Sequence, residues 1–235
     1  MSDAAAPLSA AKPLFAATPL SIEPDHLVVA ARSLDAGTAW CHATLGATPV
    51  EGGRHANLGT HNRLLGFADG AYRRMYLELI AIDPDAPAPS RARWFDLDAP
   101  ALQAAIADTP RLVHWVARCN DLDRALAALR AAGHDPGEAI AAERMTPHGL
   151  LRWRISLRAD GRRPAAGAVP LLIEWGDAHP CDRLPASGVS VASVAVGGVE
   201  PGLVARLGVR AAGVGAPPLS VGLDTPRGRV ELLAA

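Results

Sequence analysis

The sequence predicts an α+β fold built on a repeated β-α-β-β-β module, and three observations carry that prediction. The chain repeats itself internally, its apolar residues fall into short β-branched runs, and its composition can bury a core. Of 235 residues, 49% are hydrophobic and 20% charged, which is the make-up of a folded domain rather than a disordered chain.

The elements follow in order. Residues 1–22 are rich in alanine and proline, without a basic n-region or an unbroken apolar core. They read as a loosely ordered tail rather than a secretory signal. A first module with its linker is expected over residues 23–110 and opens on HLVVAARSLDAGTAWCHATLGATP from His26. A second, over residues 111–183, opens on HWVARCNDLDRALAALRAAGHDP from His114. In both, a histidine leads an apolar run, Leu-Asp follows eight residues on (Leu34-Asp35, Leu122-Asp123), and a glycine (Gly46, Gly133) precedes a proline (Pro49, Pro136) by three. Ser33 and Asn120 are candidate helix N-caps, and Gly46 and Gly133 candidate C-caps. Leu122, Leu126 and Leu129 form the apolar face of the second helix.

Alternating strands complete each copy. GTHNRLLGF and YRRMYLELIAI close the first, LLRWRISLR and VPLLIEW the second. From residue 184 to 235 a partial βαββ module is expected. It has a strand in VSVASVAV, a short helix starting near Pro201, and a hairpin turning at Thr225-Pro226-Arg227-Gly228.

Composition excludes several functions. Twenty-three basic against 24 acidic residues leave no electrostatic footprint for nucleic acid or an anionic membrane surface. No stretch approaches the roughly 18 apolar residues of a membrane span. Three cysteines, Cys41, Cys119 and Cys181, are too few and too scattered for a disulfide framework. The expected compartment is the cytoplasm, and the expected partner is a small molecule.

The chemistry lies in equivalent places of the two copies. Each first strand carries a histidine and each last strand a glutamate: His26 with Glu78, and His114 with Glu174. Tyr76, Glu78 and Ile80 share one strand face, and Glu174 shares its face with Leu172. A carboxylate in so apolar a strand needs a cation, a donor or solvent. Two imidazoles and two carboxylates brought together would hold a divalent ion with room for water. Between the strands, His55 and Asn62 are the expected substrate contacts, with Arg154 as a carboxylate-binding candidate. His148 and His179, in loops, are candidate cleft-edge groups.

DHLVVAARSLD, GGRHANLGTHNRLLGF, YLELIA, HWVARCNDLD and VPLLIEWGDAHP, taken in that order, resemble the glyoxalase-like domain family of the vicinal oxygen chelate superfamily, over about residues 23 to 235. The resemblance implies paired modules forming an incompletely closed, barrel-like sheet of eight strands around a metal-containing cleft. It implies that His26, Glu78, His114 and Glu174 ligate zinc, nickel, manganese or iron. Glu174, or else Glu78, would leave the ion to shuttle a proton. The expected activity is a metal-dependent lyase or isomerase acting on a small oxygenated metabolite. The alternatives are an iron(II) dioxygenase and a non-catalytic protein that sequesters a small molecule. The cleft can be completed within one chain or between two, so the expectation is a monomer or a homodimer.

Overall fold

A computed structural model describes residues 18–234. In chain order the elements are β1 (Ile22–Ala30), α1 (Leu34–Trp40), β2 (Val50–His55), β3 (Thr60–Ala68), β4 (Tyr76–Ile82), α2 (Pro100–Ala105), β5 (Arg111–Cys119) and α3 (Leu122–Ala131). There follow β6 (Glu138–Thr146), β7 (Gly149–Leu157), β8 (Leu171–Trp175), β9 (Ala186–Val196), α4 (Pro201–Arg206), β10 (Arg210–Ala211), β11 (Leu219–Thr225) and β12 (Gly228–Leu233). The class is mixed α+β. Strands β1–β8 arise from the two repeated segments, and β9–β12 extend the same sheet to twelve strands.

Local chemistry sets the helix ends. Ser33 caps α1 by accepting the Ala36 N–H at 3.2 Å. The helix runs on through a π-helical turn to Gly46, whose φ of 68° suits glycine. In the second copy the cap is Asp121, one residue beyond the expected Asn120, and it accepts the Arg124 N–H at 3.0 Å. Asn120 instead accepts the Ser21 N–H and donates to the Pro19 carbonyl. The part of the expected tail that is described is thus tied to the second copy, and its first 17 residues lie outside the described chain. The turn Thr225–Gly228 joins β11 to β12 as a hairpin.

The sheet runs β12-β11-β9-β3-β4-β1-β5-β8-β7-β6, with β2 also on β3 and β10 on β9. It is not closed, although a bridge between Leu112 and Ala234 brings the β12 end against β5. Within the first copy β1 and β4 lie parallel, and the two copies meet where β1 runs antiparallel to β5. Strand β3 divides its outer edge: its first half pairs with β2, its second with β9.

Alternation then makes two cores. Leu27, Val29, Leu77, Leu79 and Leu172 face one side, where α1, α3 and α4 pack with β9 and β11. Leu122, Leu126 and Leu129 are buried there, along the stripe that the sequence spacing predicts. Val28, Ile80, Val116, Leu171 and Ile173 face the other side, under Trp94, Phe95 and α2. Among the described residues no helix is long and apolar enough to cross a membrane.

Candidate active site

The second face carries the polar cluster. Glu78 shares it with Ile80, and His26 lies one strand over, because β1 and β4 pair with Val28 beside Glu78 and His26 beside Tyr76. Neighbouring β3 contributes Asn62, and the end of β2 contributes His55. The Asn62 amide is oriented without ambiguity: its Oδ1 accepts the Gly53 backbone N–H at 2.7 Å, so Nδ2 faces Glu78 Oε1 at 2.6 Å and His55 Nε2 at 3.3 Å. His55 accepts on Nε2, so its proton sits on Nδ1 and is given to Thr60 Oγ1 at 2.9 Å. Burial drives the His55 pKa down to about 4, against a partial lift from Glu78, so the ring is neutral.

Asp25 braces the opposite wall. It is fully buried and accepts from His26 Nδ1 at 2.6 Å, His179 Nε2 at 2.8 Å and Trp175 Nε1 at 3.1 Å. Burial pushes its carboxyl pKa up, but the hydrogen bonds from His179 and His26 outweigh that and hold it well below the carboxylate range. His179 Nδ1 accepts the Cys181 N–H, which places the other ring proton on Nε2, toward Asp25. His26 spends Nδ1–H on Asp25, stacks on Tyr76 with centroids 4.6 Å apart, and turns Nε2 to Glu78 Oε2 at 3.7 Å. Strict alternation would put Asp25 on the sheet face opposite His26. The β1–β5 ladder slips between Pro24 and His26, and this bulge lets adjacent residues serve one site.

The second copy is built differently. His114 lies on the same face, but its Nε2 accepts the Leu171 backbone N–H at 3.2 Å, and its Nδ1 is buried without a partner. Burial, first of all, drives its pKa well below the ordinary value, and Phe95 packs against the ring. The register explains the missing carboxylate. In β1/β4, Glu78 lies beside Val28, two residues past His26; in β5/β8, Leu171 lies beside Val116, two residues past His114. Glu174 is three residues beyond Leu171, and an odd offset turns a side chain to the other face. There it pairs with Arg154 at 3.0 Å, and Arg154 pairs also with Asp123 at 2.8 Å. The expected quartet therefore does not converge: His26 and Glu78 meet in one niche, while His114 lies under Phe95 and Glu174 borders the adjoining cleft, outside that niche, on Arg154. No three His, Cys, Asp or Glu side chains among the described residues gather as a metal site. The Asn62 N–H also occupies Glu78 Oε1. These residues do not fit the four-ligand zinc, nickel, manganese or iron site that the sequence suggests.

The cluster is the floor of a cleft. A niche of about 40 Å³ is lined by His26, Glu78, Asn62 and Tyr76. It shares His55, Trp94, Arg144, Trp153, Ile155 and Trp175 with a cleft of about 850 Å³ above it. The β6–β7 hairpin forms one wall, and the Ala56–Leu58 turn stands opposite. Of the expected substrate contacts, His55 belongs to both spaces, Asn62 to the niche, and Arg154 to the cleft only. His148 is exposed on the β6–β7 turn, whereas His179 is buried at the site. Burial pushes the thiols of Cys41, Cys119 and Cys181 up to about 12, which disfavours a thiolate nucleophile. Asp25, Trp94, Trp175 and Arg144 carry no sequence signal of their own beyond residue type. The bulge that recruits Asp25 is a feature of pairing.

A family model described as glyoxalase-like domain matches residues 25–211. No curated protein matches the chain. Among solved structures, a hypothetical protein from Staphylococcus aureus is similar at 14% identity and a TM-score of 0.54, over 91% of this chain and 86% of that one. Methylmalonyl-CoA epimerase from Mycobacterium tuberculosis aligns at 20% identity and a TM-score of 0.38, over 66% of this chain and 87% of its own. The enzyme of that name from Streptomyces coelicolor aligns at 19% and 0.39, over 66% and 96%.

Proposed function

The chain belongs to the glyoxalase-like domain family of the vicinal oxygen chelate superfamily, and from that premise we propose that it is an isomerase acting on a small α-hydroxycarbonyl compound, with Glu78 and His26 as its catalytic residues. One observation carries the reading: Glu78 Oε2 and His26 Nε2 face each other across 3.7 Å in a buried niche at the floor of an open cleft. That gap is too wide for a hydrogen bond between them, and a reacting atom can lie about 3 Å from both.

The two groups have distinct duties. Glu78 keeps Oε1 on the Asn62 amide and has Oε2 free, so it takes the proton from the hydroxyl-bearing carbon and returns it to the adjacent carbon. As that C–H bond breaks, its electron pair forms the carbon–carbon double bond of an enediol and the carbonyl oxygen gains charge. His26, pinned by Nδ1–H on Asp25, takes the hydroxyl proton on Nε2 and passes it to the former carbonyl oxygen. The buried Asp25 carboxylate supports the imidazolium that forms in between. Two protons are relocated and none is lost. No step is assigned to a metal ion, because the side chains gathered here do not make a ligand set for one.

The test is proton NMR in deuterium oxide with a panel of small α-hydroxy ketones and aldehydes. The protein should catalyse replacement of the C–H next to the carbonyl, and dialysis against a chelator should leave the rate within about twofold. No exchange across the panel, exchange that survives Glu78→Gln unchanged, or a loss on chelation restored by a divalent ion would each overturn the reading.

A further inference from the structure

The cleft above the niche is lined by five arginines, three of which are committed to carboxylates. Arg54 pairs with Asp83 and Asp85, Arg152 with Glu143, and Arg154 with Glu174 and Asp123. Arg91 and Arg144 have no carboxylate within 4.0 Å among the described residues. Arg91 donates to the Arg158 carbonyl and keeps a buried Nε without a partner.

Arg144 is the better placed of the two, since it lines both the cleft and the niche. It reaches from β6 across to β2, where one terminal nitrogen donates to the Gly52 carbonyl at 2.6 Å. The chain has made room for it: a Cβ on Gly53 would stand 2.3 Å from that nitrogen and 3.0 Å from the guanidinium carbon. No other described residue claims its remaining N–H donors. A guanidinium so seated, half-buried and without a counter-charge, presents the flat donor fork that a carboxylate accepts in pairs. Beside it the shared walls are aromatic and aliphatic: Trp94, Trp153, Ile155 and Trp175.

We infer that Arg144 anchors a carboxylate and that the ligand of this cleft is an organic acid with an apolar body. The body lies against the tryptophan wall, and the carboxylate holds its near end at the mouth of the niche. Only the position of the reacting end rests on the isomerase reading. The recognition stands on Arg144, Gly53 and the walls.

Binding separates the anchor from the chemistry. Octanoate and phenylacetate are titrated at neutral pH beside octanamide and phenylacetamide, by calorimetry and by tryptophan fluorescence. The acids should bind at least about tenfold more tightly than their amides. Arg144→Gln should abolish that preference, and Arg144→Lys should retain part of it. Gly53→Ala, which keeps the arginine but fills the space it lies in, should weaken the acids severalfold, with circular dichroism melts showing each variant folded. Equal affinity for acid and amide, no binding of either acid, or acid affinity unchanged in both Arg144→Gln and Gly53→Ala would overturn the inference. The two readings fail separately in the wild type: acid preference without exchange sinks the isomerase alone, and exchange without acid preference sinks the carboxylate anchor alone.

Discussion

His26 and His114 open equivalent strands, point to the same face of the sheet, and end in different chemistry. His26 has a carboxylate behind it and another before it, with Nε2 open to a cleft. His114 has a backbone N–H on Nε2, an aromatic ring over it and no carboxylate on either nitrogen. The difference comes from the neighbours. In the first copy the residue beside position His+2 on the adjoining strand is Glu78; in the second it is Leu171. Duplication supplies two scaffolds, and one register position decides which of them has a site.

Four experiments press on that comparison. The largest effect should come from Glu78→Gln, which keeps the shape and the Asn62 contact but loses the base: deuterium exchange should fall about a thousandfold. Retention of the rate would place the chemistry elsewhere.

The next is a stability effect. The folded pKa of His55 is about 4, below its ordinary 6.5, so the unfolded chain takes up a proton that the folded one refuses. Stability should therefore fall as pH drops from about 7 to 4, by up to about 3 kcal/mol from this ring, and the loss should level off below that. Urea midpoints for the wild type and His55→Asn at both ends of the window check this. A slope equally steep in the variant would remove His55 as its source. His114 contributes with the same sign, since burial lowers it also.

Asp25→Asn should lower kcat by about ten- to a hundredfold with little change in KM, because Asp25 acts through His26 and does not reach the cleft. A displaced pH–rate profile is the signature of that positioning role, and an unchanged profile would reduce Asp25 to a structural residue. The smallest effects belong to the second copy. His114→Gln, which keeps an acceptor for the Leu171 N–H, and Glu174→Gln should each leave exchange within about twofold. Glu174→Gln should cost no more than about 1 kcal/mol, given how exposed its pair with Arg154 is. A large loss of exchange in either variant would return both copies to one shared site.

Much of the molecule is legible in the residues themselves. Repetition and alternation locate the strands, and the face shared by Tyr76, Glu78 and Ile80 is the face observed. His55 and Asn62, marked from their loop and strand, are hydrogen-bonded to one another. Other features depend on pairing between distant strands, which periodicity does not encode. Glu174 follows an alternation that the sequence also shows, but only the β5–β8 ladder reveals that Leu171 holds the place equivalent to Glu78. Asp25 reaches His26 through a bulge. Arg144 lies in AIAAERMTP, an outer-edge strand with no motif, and gains meaning from a glycine some ninety residues earlier.

That edge strand has a consequence in motion. The β6–β7 hairpin is paired along nine positions within itself, but its ladder to β8 has three, Trp153 with Trp175, Arg154 with Glu174 and Ile155 with Ile173, flanked by bonds from the Gly176 N–H to the Arg152 carbonyl and from the Leu172 N–H to Ser156 Oγ. As an edge element with a shorter ladder to the sheet than within itself, it is of the kind that opens at lower free energy than the sheet's centre. The Arg144 bond to the Gly52 carbonyl fastens its free side to the opposite rim. On the carboxylate-anchor reading, the side chain that receives the ligand also ties this wall to the opposite rim, so a bound acid is expected to steady the hairpin. Amide hydrogen exchange over residues 142–152 should slow when the cleft fills.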